Sequence, residues 1–400
     1  MLRRLLGYEL KKTFSGRFLL IVLFSFLLIH YLDLYRPWTP NNTVFRKIQA
    51  NSIELRRFME DANQESINGF WEYFHALHGA NAILEMSNLP DGEWKKPGRL
   101  AETISMEYVA ATHYFFDIRE HSETLIARER VVETARRLGQ KALAVKDDYS
   151  VRRNIDIVNR YSADLDLGAM PTKGWDALFY YTTSDYLVLL WITLFAVSFF
   201  PHEKNSGSIM LLHATKWGRS KTAATKMIII GAISIVVSFM FSALNLLYVF
   251  MQHGLWGWSK PAAAASSMAM TPLNITLWQA YVLFSLMKAF GALCLSVVLS
   301  FSSNFTNNSL AAYIVGIAYS GTSLGYGKAV KVFFWPEFLS IPDITLWFRP
   351  MDYLSVYNVS NVFTYPVYWV FVHFFIWFSL IISLCCFIII RNTRISRKSG

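Results

Sequence analysis

Polar and apolar residues are segregated along this chain into long blocks. Charge-free stretches occupy 18–32, 186–202, 227–259, 261–287, 289–327 and 353–390, and a charge-rich block fills 36–183. A helix needs about 20 mostly apolar residues to cross some 30 Å of hydrocarbon. Six segments meet that need: 17–35, 184–201, 225–251, 277–301, 308–326 and 366–390. Helix is the expected form, because a backbone in lipid must satisfy its own hydrogen bonds. A barrel would alternate strictly, whereas Leu187–Val197 and Phe371–Ile390 are apolar on nearly every side. The pattern predicts an all-α integral membrane protein with six transmembrane helices and a helical extracytoplasmic domain.

Composition agrees. Of the 400 residues 54% are hydrophobic and 16% charged, against about a quarter charged in soluble chains. The first apolar run is followed by His-Tyr-Leu-Asp with no small-residue cleavage site, so it is expected to remain as a span. Charge then orients the spans. Arg3, Arg4, Lys11, Lys12 and Arg17 precede the first. Lys204, Lys216, Arg219, Lys221 and Lys226 lie between the second and third, and Arg391, Arg394, Arg397 and Lys398 follow the sixth. With six spans these clusters share one side, expected to be the cytoplasm, which also takes both termini. Residues 36–183 hold 19 basic and 21 acidic residues, net −2, so the remainder carries +12 and the basic excess belongs to the membrane part. There it meets anionic lipid, and no nucleic-acid partner is expected. Trp256, Trp258, Trp335, Trp347, Tyr365 and Tyr368 suit an interfacial belt on the other side.

The block 36–183 is long enough for its own core. From His121 to Val145 the residues Leu125, Val132, Ala135, Leu138 and Ala142 recur at helical spacing, with charges on the other face. The stretch 43–66 reads similarly through Phe45, Ile48, Ile53 and Phe58, and Pro90, Asp91-Gly92 and Pro97-Gly98 mark a break. All three cysteines, Cys294, Cys385 and Cys386, lie in apolar runs, so no disulfide staples this domain. Glu72, His75 and His78 have a helical spacing that could suggest a metal, but no further ligand accompanies them and no metal site is expected.

Enzymatic signatures are lacking. There is no Gly-x4-Gly-Lys-[Ser/Thr] phosphate loop, no His-Glu-x-x-His and no Gly-x-Ser-x-Gly, so no catalytic residue is assigned. Lys288, near the middle of the fourth span, is the clearest ionisable group inside the membrane and a candidate for a transport path. Snorkelling, or pairing with a carboxylate or carbonyl of a neighbouring helix, would also explain it. No acid lies deep inside another expected span, which disfavours a proton relay.

The segment after the second span, Phe200-Pro-His-Glu-Lys-Asn-Ser-Gly-Ser-Ile-Met-Leu-Leu-His-Ala-Thr-Lys-Trp-Gly-Arg-Ser-Lys-Thr222, holds a short amphipathic helix, Ser208 to Thr215, between Gly207 and Gly218. This loop resembles the cytoplasmic loop of ABC-2-type permeases through Glu203, Gly207, Ser208, Leu211, Leu212, Ala214, Thr215, Gly218, Arg219 and Lys226. The N-terminus, Leu5-Leu-Gly-Tyr-Glu-Leu-Lys-Lys-Thr-Phe-Ser-Gly-Arg17, is similar to the amphipathic elbow before the first span of that family.

The resemblance implies three parts: an elbow and first span in 1–35, an extracytoplasmic domain in 36–183, and spans two to six in 184–400 with a coupling loop at 203–221. It implies a bacterial plasma-membrane exporter subunit, paired with a second permease subunit, homo- or heterodimeric. ATP and Mg would be bound by separate cytoplasmic ATPase subunits, with no cofactor in this chain. Glu203, Gly207, Leu211, Leu212, Gly218 and Arg219 would form the ATPase-coupling loop. Ala312, Gly316, Gly321 and Gly325 give the fifth span small-x3-small spacings suited to helix packing or a dimer contact. The competing readings are a non-transporting sensor or assembly protein that uses the external domain, and an ion-coupled carrier. The second is disfavoured by six spans without an evident inverted repeat.

Overall fold

In the computed structural model, the structure describes residues 17–35, 124–162, 173–180, 183–199, 218–253, 255, 257–306, 313–314 and 347–398. The described part is mostly helical. In chain order it contains α1 (Arg17–Tyr35), α2 (124–145), α3 (Asp148–Tyr161), α4 (Lys173–Tyr180), α5 (Thr183–Phe199), α6 (Gly218–His253), α7 (Leu277–Thr306), α8 (Met351–Leu354) and α9 (Trp369–Lys398). Strands β1 (Val359–Val362) and β2 (Tyr365–Tyr368) precede α9.

Among the described residues, four helices or helix pairs are long and apolar enough to cross a membrane: Gly174–Val197, Lys221–Met251, Leu277–Asn304 and Trp369–Arg391. They correspond to the expected second, third, fourth and sixth spans. α1 covers the expected first span, with the shorter apolar stretch Ile21–Leu32. Of the expected fifth span, only 313–314 lies within the described residues.

Two boundaries differ from the sequence reading, each for a local reason. The second span begins earlier, because α4 carries the apolar stretch outward to Gly174. The sixth begins at Trp369, not 366, because Tyr365–Tyr368 pairs antiparallel with Val359–Val362. Phe363 and Thr364 take positive φ, 49° and 69°, as a two-residue hairpin turn requires. Asn361 Oδ1 braces the turn by accepting from Thr364 N at 3.0 Å. The molecule therefore carries a small two-stranded sheet beside its helices.

α7 is central, packing on α5, α6 and α9, while α1 packs on α5. The core between them is built from Trp191, Phe195, Ile230, Phe241, Phe284 and Leu295, among others. In lipid, burying apolar surface gives little drive for helices to associate, so tight packing must supply it. Two glycines allow that approach. A Cβ at Gly291 would stand 2.6 Å from Trp347 Cβ, and one at Gly231 would stand 2.8 Å from Leu293 Cδ1. α7 starts with a reciprocal capping box: Thr276 Oγ1 accepts from Gln279 N at 3.3 Å, and Gln279 Oε1 accepts from Thr276 N at 3.0 Å. α9 is the least covered candidate span, only 22% buried against 50–67% for the others, so its flank faces the surroundings.

Residues 124–161 form a helical hairpin. α2 ends in a Schellman-type turn, with Asp147 N bonded to Ala142 O at 3.0 Å and Lys146 N to Leu143 O at 3.2 Å. Lys146 holds the left-handed position, φ 59°, that usually favours glycine. Asp147 then caps α3 by accepting from Ser150 N at 3.1 Å and Ser150 Oγ at 2.6 Å. Those bonds hold its carboxyl below the usual carboxylate range. The helices close up where Gly139 faces Asn154, at 3.4 Å for a notional Cβ.

The buried face of α2 is Thr124, Arg128, Val132 and Ala135. The expected stripe is correct at Val132 and Ala135, whereas Leu125 and Leu138 are 48% and 46% exposed. The stripe is turned because Arg128, which sequence logic assigns to solvent, is the inward anchor. Residues 36–123 of the expected external domain lie outside the described residues.

Candidate functional site

The strongest concentration of polar chemistry among the spans surrounds Lys288. Its Nζ stands 2.9 Å from Asp185 Oδ1 and donates to Oδ2 at 3.0 Å, with the two side chains 12% and 6% exposed. Sequence reasoning missed this partner by placing Asp185 at the edge of the second span. With α4 included, Asp185 lies well inside the apolar stretch Gly174–Val197. Lys288 lies eleven residues beyond Leu277, about 16 Å along α7, close to half the ~30 Å hydrocarbon thickness.

Buried polar groups from three helices gather at this level. α6 gives Asn245, whose Nδ2 donates to Ser184 Oγ of α5 at 2.8 Å. Tyr281 of α7 donates its hydroxyl to Ser242 O of α6 at 2.5 Å, and Ser285 is buried one turn before Lys288. Asn245 Oδ1 is buried and accepts no hydrogen bond. A charged pair removed from water is favourable only with close geometry and further polar neighbours. Asp185 and Lys288 have the close geometry, and Ser184, Asn245 and Tyr281 supply the neighbours. The cluster ties α5, α6 and α7 together. Among the described residues, no group of three His, Cys, Asp or Glu side chains could hold a metal ion.

A second constellation joins the helical hairpin to the spans. Arg128 is 3% exposed; its Nη1 donates to Thr271 O at 3.0 Å and to Ala269 O at 3.3 Å, and its Nη2 donates to Arg160 O at 3.4 Å. Its guanidinium lies 4.7 Å from the centre of the Tyr161 ring. Tyr161 in turn donates to Met270 O at 2.7 Å. Two residues of the hairpin therefore grip three successive carbonyls of the loop between α6 and α7. Burial lowers the Arg128 pKa and raises that of the Tyr161 phenol, each opposed by the other's charge.

The loop is fixed on its other side by Thr271 Oγ1 donating to Leu354 O at 2.6 Å, and by Ser267 N donating to Asp176 Oδ1 at 2.8 Å. α3 also meets the strands. Tyr357 donates to Asp156 Oδ2 at 2.8 Å, Asp156 pairs with Arg160 at 2.9 Å, and Arg160 lies 4.7 Å over the Tyr368 ring. Burial and the adjoining Asp156 charge push the Tyr357 hydroxyl up. Hairpin, loop and strands thus form one cap across one end of the helix bundle.

The coupling-loop residues Glu203, Gly207, Leu211 and Leu212 lie outside the described residues, as do Ala312, Gly316, Gly321 and Gly325. Gly218 and Arg219 are the first two residues of α6. The close contacts at Gly231 and Gly291 are the described counterparts of the small-residue packing expected in the fifth span, and no spacing motif marks them. Comparison with protein-family models, curated proteins and solved structures finds no match for this chain.

Proposed function

We propose that this chain is the membrane-spanning permease subunit of an ATP-driven exporter. In this reading it forms the translocation path with a second permease subunit and couples to a separate cytoplasmic ATPase, which binds ATP and Mg. The observation that carries the reading is α6. It begins at Gly218 and Arg219, where the loop resembling an ATPase-docking element ends, and continues unbroken for 36 residues. That is about 54 Å at 1.5 Å per residue, well beyond the ~30 Å of hydrocarbon. The same helix supplies Ser242 and Asn245 to the polar cluster around Asp185 and Lys288. Force applied at the loop would be delivered along one rigid rod to the buried charges, where a cargo group could be admitted. The basic clusters flanking the loop and both termini support a cytoplasmic position for the docking end.

A second reading, a membrane sensor or assembly protein, is favoured by the grip of Arg128 and Tyr161 on the loop between α6 and α7. That grip would transmit an event on the hairpin to two spans without any ATPase.

One experiment separates the readings. The tagged full-length chain, extracted from its native membranes, is expected to co-elute with vanadate-sensitive ATP hydrolysis. The same chain produced in a host lacking its partner is expected to show background turnover only. In the Leu211→Asp/Leu212→Asp variant, apolar burial worth about 1.5–3 kcal/mol per leucine is lost and two charges are added. Insertion should persist while the co-eluting hydrolysis disappears. A native complex without ATPase, or a variant that retains it, removes the exporter reading.

A further inference from the structure

The hairpin 124–161 uses one side for the cap and presents another as a groove. On α3, Arg152, Asp156 and Arg160 recur every four residues and meet the segment 357–368. The adjoining side of α3, with Ser150, Arg153, Asn154 and Ile157, forms one wall of a groove of about 600 Å³. α2 forms the other wall with Val131, Ala135, Leu138, Ala142 and Val145, again at helical spacing. These α2 residues are apolar, yet Leu138 and Val145 are 46% and 79% exposed. A helix pair buries such a stripe only against a third element. Charge on the rim narrows the choice of that element. Arg130, Lys141 and Arg153 line the groove, and the one carboxylate among the described lining residues, Asp147, is already held by Ser150. The hairpin as a whole carries nine basic and five acidic residues, so a second copy of it would bring like charge.

We propose that this groove docks the acidic segment 58–94 of the same chain. Outside the hairpin, the block 36–183 holds ten basic and sixteen acidic residues, the opposite balance to the hairpin itself. The acid is concentrated. Residues 58–94 contain seven Asp and Glu and no Lys or Arg. Among them Ile67, Phe70, Phe74 and Leu77 recur at intervals of three and four, the pattern of apolar anchors that fills a groove between helices. The docking is intramolecular. Residues 95–123 join the segment to α2, and their extended reach far exceeds the ~21 Å from Val131 to Val145 along the helix. A tether of that kind holds the segment at high effective concentration, so weak surface charges suffice to select it. The inference is independent of the exporter reading, because groove and segment lie in one chain and apart from the candidate spans.

The test uses the full-length chain in nanodiscs, with photoreactive benzoylphenylalanine in place of Leu138. After irradiation, mass spectrometry should locate intrachain cross-links within 58–94. The same probe in place of Ile155, which is exposed on α3 but does not line the groove, should give none there. Charge is tested separately, without the probe. Lys141→Glu/Arg153→Glu should quicken hydrogen exchange across 58–94 by about tenfold, as reversal of a few exposed ion pairs implies. Adding Glu65→Lys/Glu72→Lys to that variant should slow the exchange again, a rescue that a merely misfolded hairpin would not show. Cross-links from 138 to a second copy, to a separate protein or to lipid overturn the proposal. So do equal cross-links from 155, exchange that the first reversal leaves unchanged, or exchange that the second does not restore.

Discussion

An ammonium in hydrocarbon carries a desolvation cost that a single carboxylate offsets only at close range, and Lys288 has Asp185 at 2.9 Å. Removing either member alone leaves the other charge buried. Lys288→Met is therefore expected to destabilise the protein by about 3–5 kcal/mol. Asp185→Asn/Lys288→Met should recover most of that loss, because neither charge is left without a counterpart. Thermal unfolding of the two single variants and the double variant in one detergent measures the coupling. Strictly additive losses would show that the pair is not energetically coupled. If the pair also belongs to a transport path, the double variant should regain stability without regaining ATPase-linked turnover. The lysine itself was legible in the sequence, since one charge in a long apolar run is conspicuous. Its partner was not, because Asp185 lies among polar residues in the one-dimensional pattern, and only the outward extension through α4 puts it inside a span.

At the scale of elements, caps depend on neighbouring residues and packing on distant ones. Asp147 before α3 and Thr276 with Gln279 before α7 are local arrangements, settled by residues three apart, and they form as such patterns do. The rotation of α2 is not local. Leu125 and Leu138 satisfy helical periodicity, yet the buried stripe includes Arg128, whose acceptors are the carbonyls of Ala269 and Thr271, over 140 residues away. No periodicity argument includes an acceptor that distant. Arg128→Ala is expected to loosen the hairpin from the loop, at a cost of about 2–3 kcal/mol for charge-assisted hydrogen bonds. Hydrogen exchange over 124–161 should then accelerate by at least tenfold. Arg128→Lys should rescue it only in part, since an ammonium lacks the fork that reaches several carbonyls at once. Exchange that remains at the wild-type rate would mean that Tyr161 and the contacts with the strands are sufficient to hold the hairpin.

For the whole molecule, the path of the chain constrains topology beyond what hydropathy alone supplies. The hairpin 124–161, the loop before α7 and the strands before α9 meet in one cap, so they lie on one side of any membrane that the helices cross. α5 leaves that end, α6 returns to it, and α7 leaves it again, while the segment from Trp347 onward is back in the cap through Leu354. The expected fifth span, 308–326, falls in the interval between α7 and Trp347, of which only 313–314 lies within the described residues. Basic residues then decide which side is which. Lys221 and Lys226 of α6 and Arg391 of α9 fall at the end opposite the cap, and the orientation we propose from the positive-inside rule makes that end cytoplasmic. Single cysteines introduced as Arg130→Cys, Phe363→Cys and Lys398→Cys, in a background where Cys294, Cys385 and Cys386 are alanine, test this in intact cells. An impermeant maleimide should react at 130 and at 363, the latter in a side chain 90% exposed at the hairpin tip, and should reach 398 only after permeabilisation. Reaction at 398 in intact cells would reverse the orientation. Opposite behaviour of 130 and 363 would break the cap.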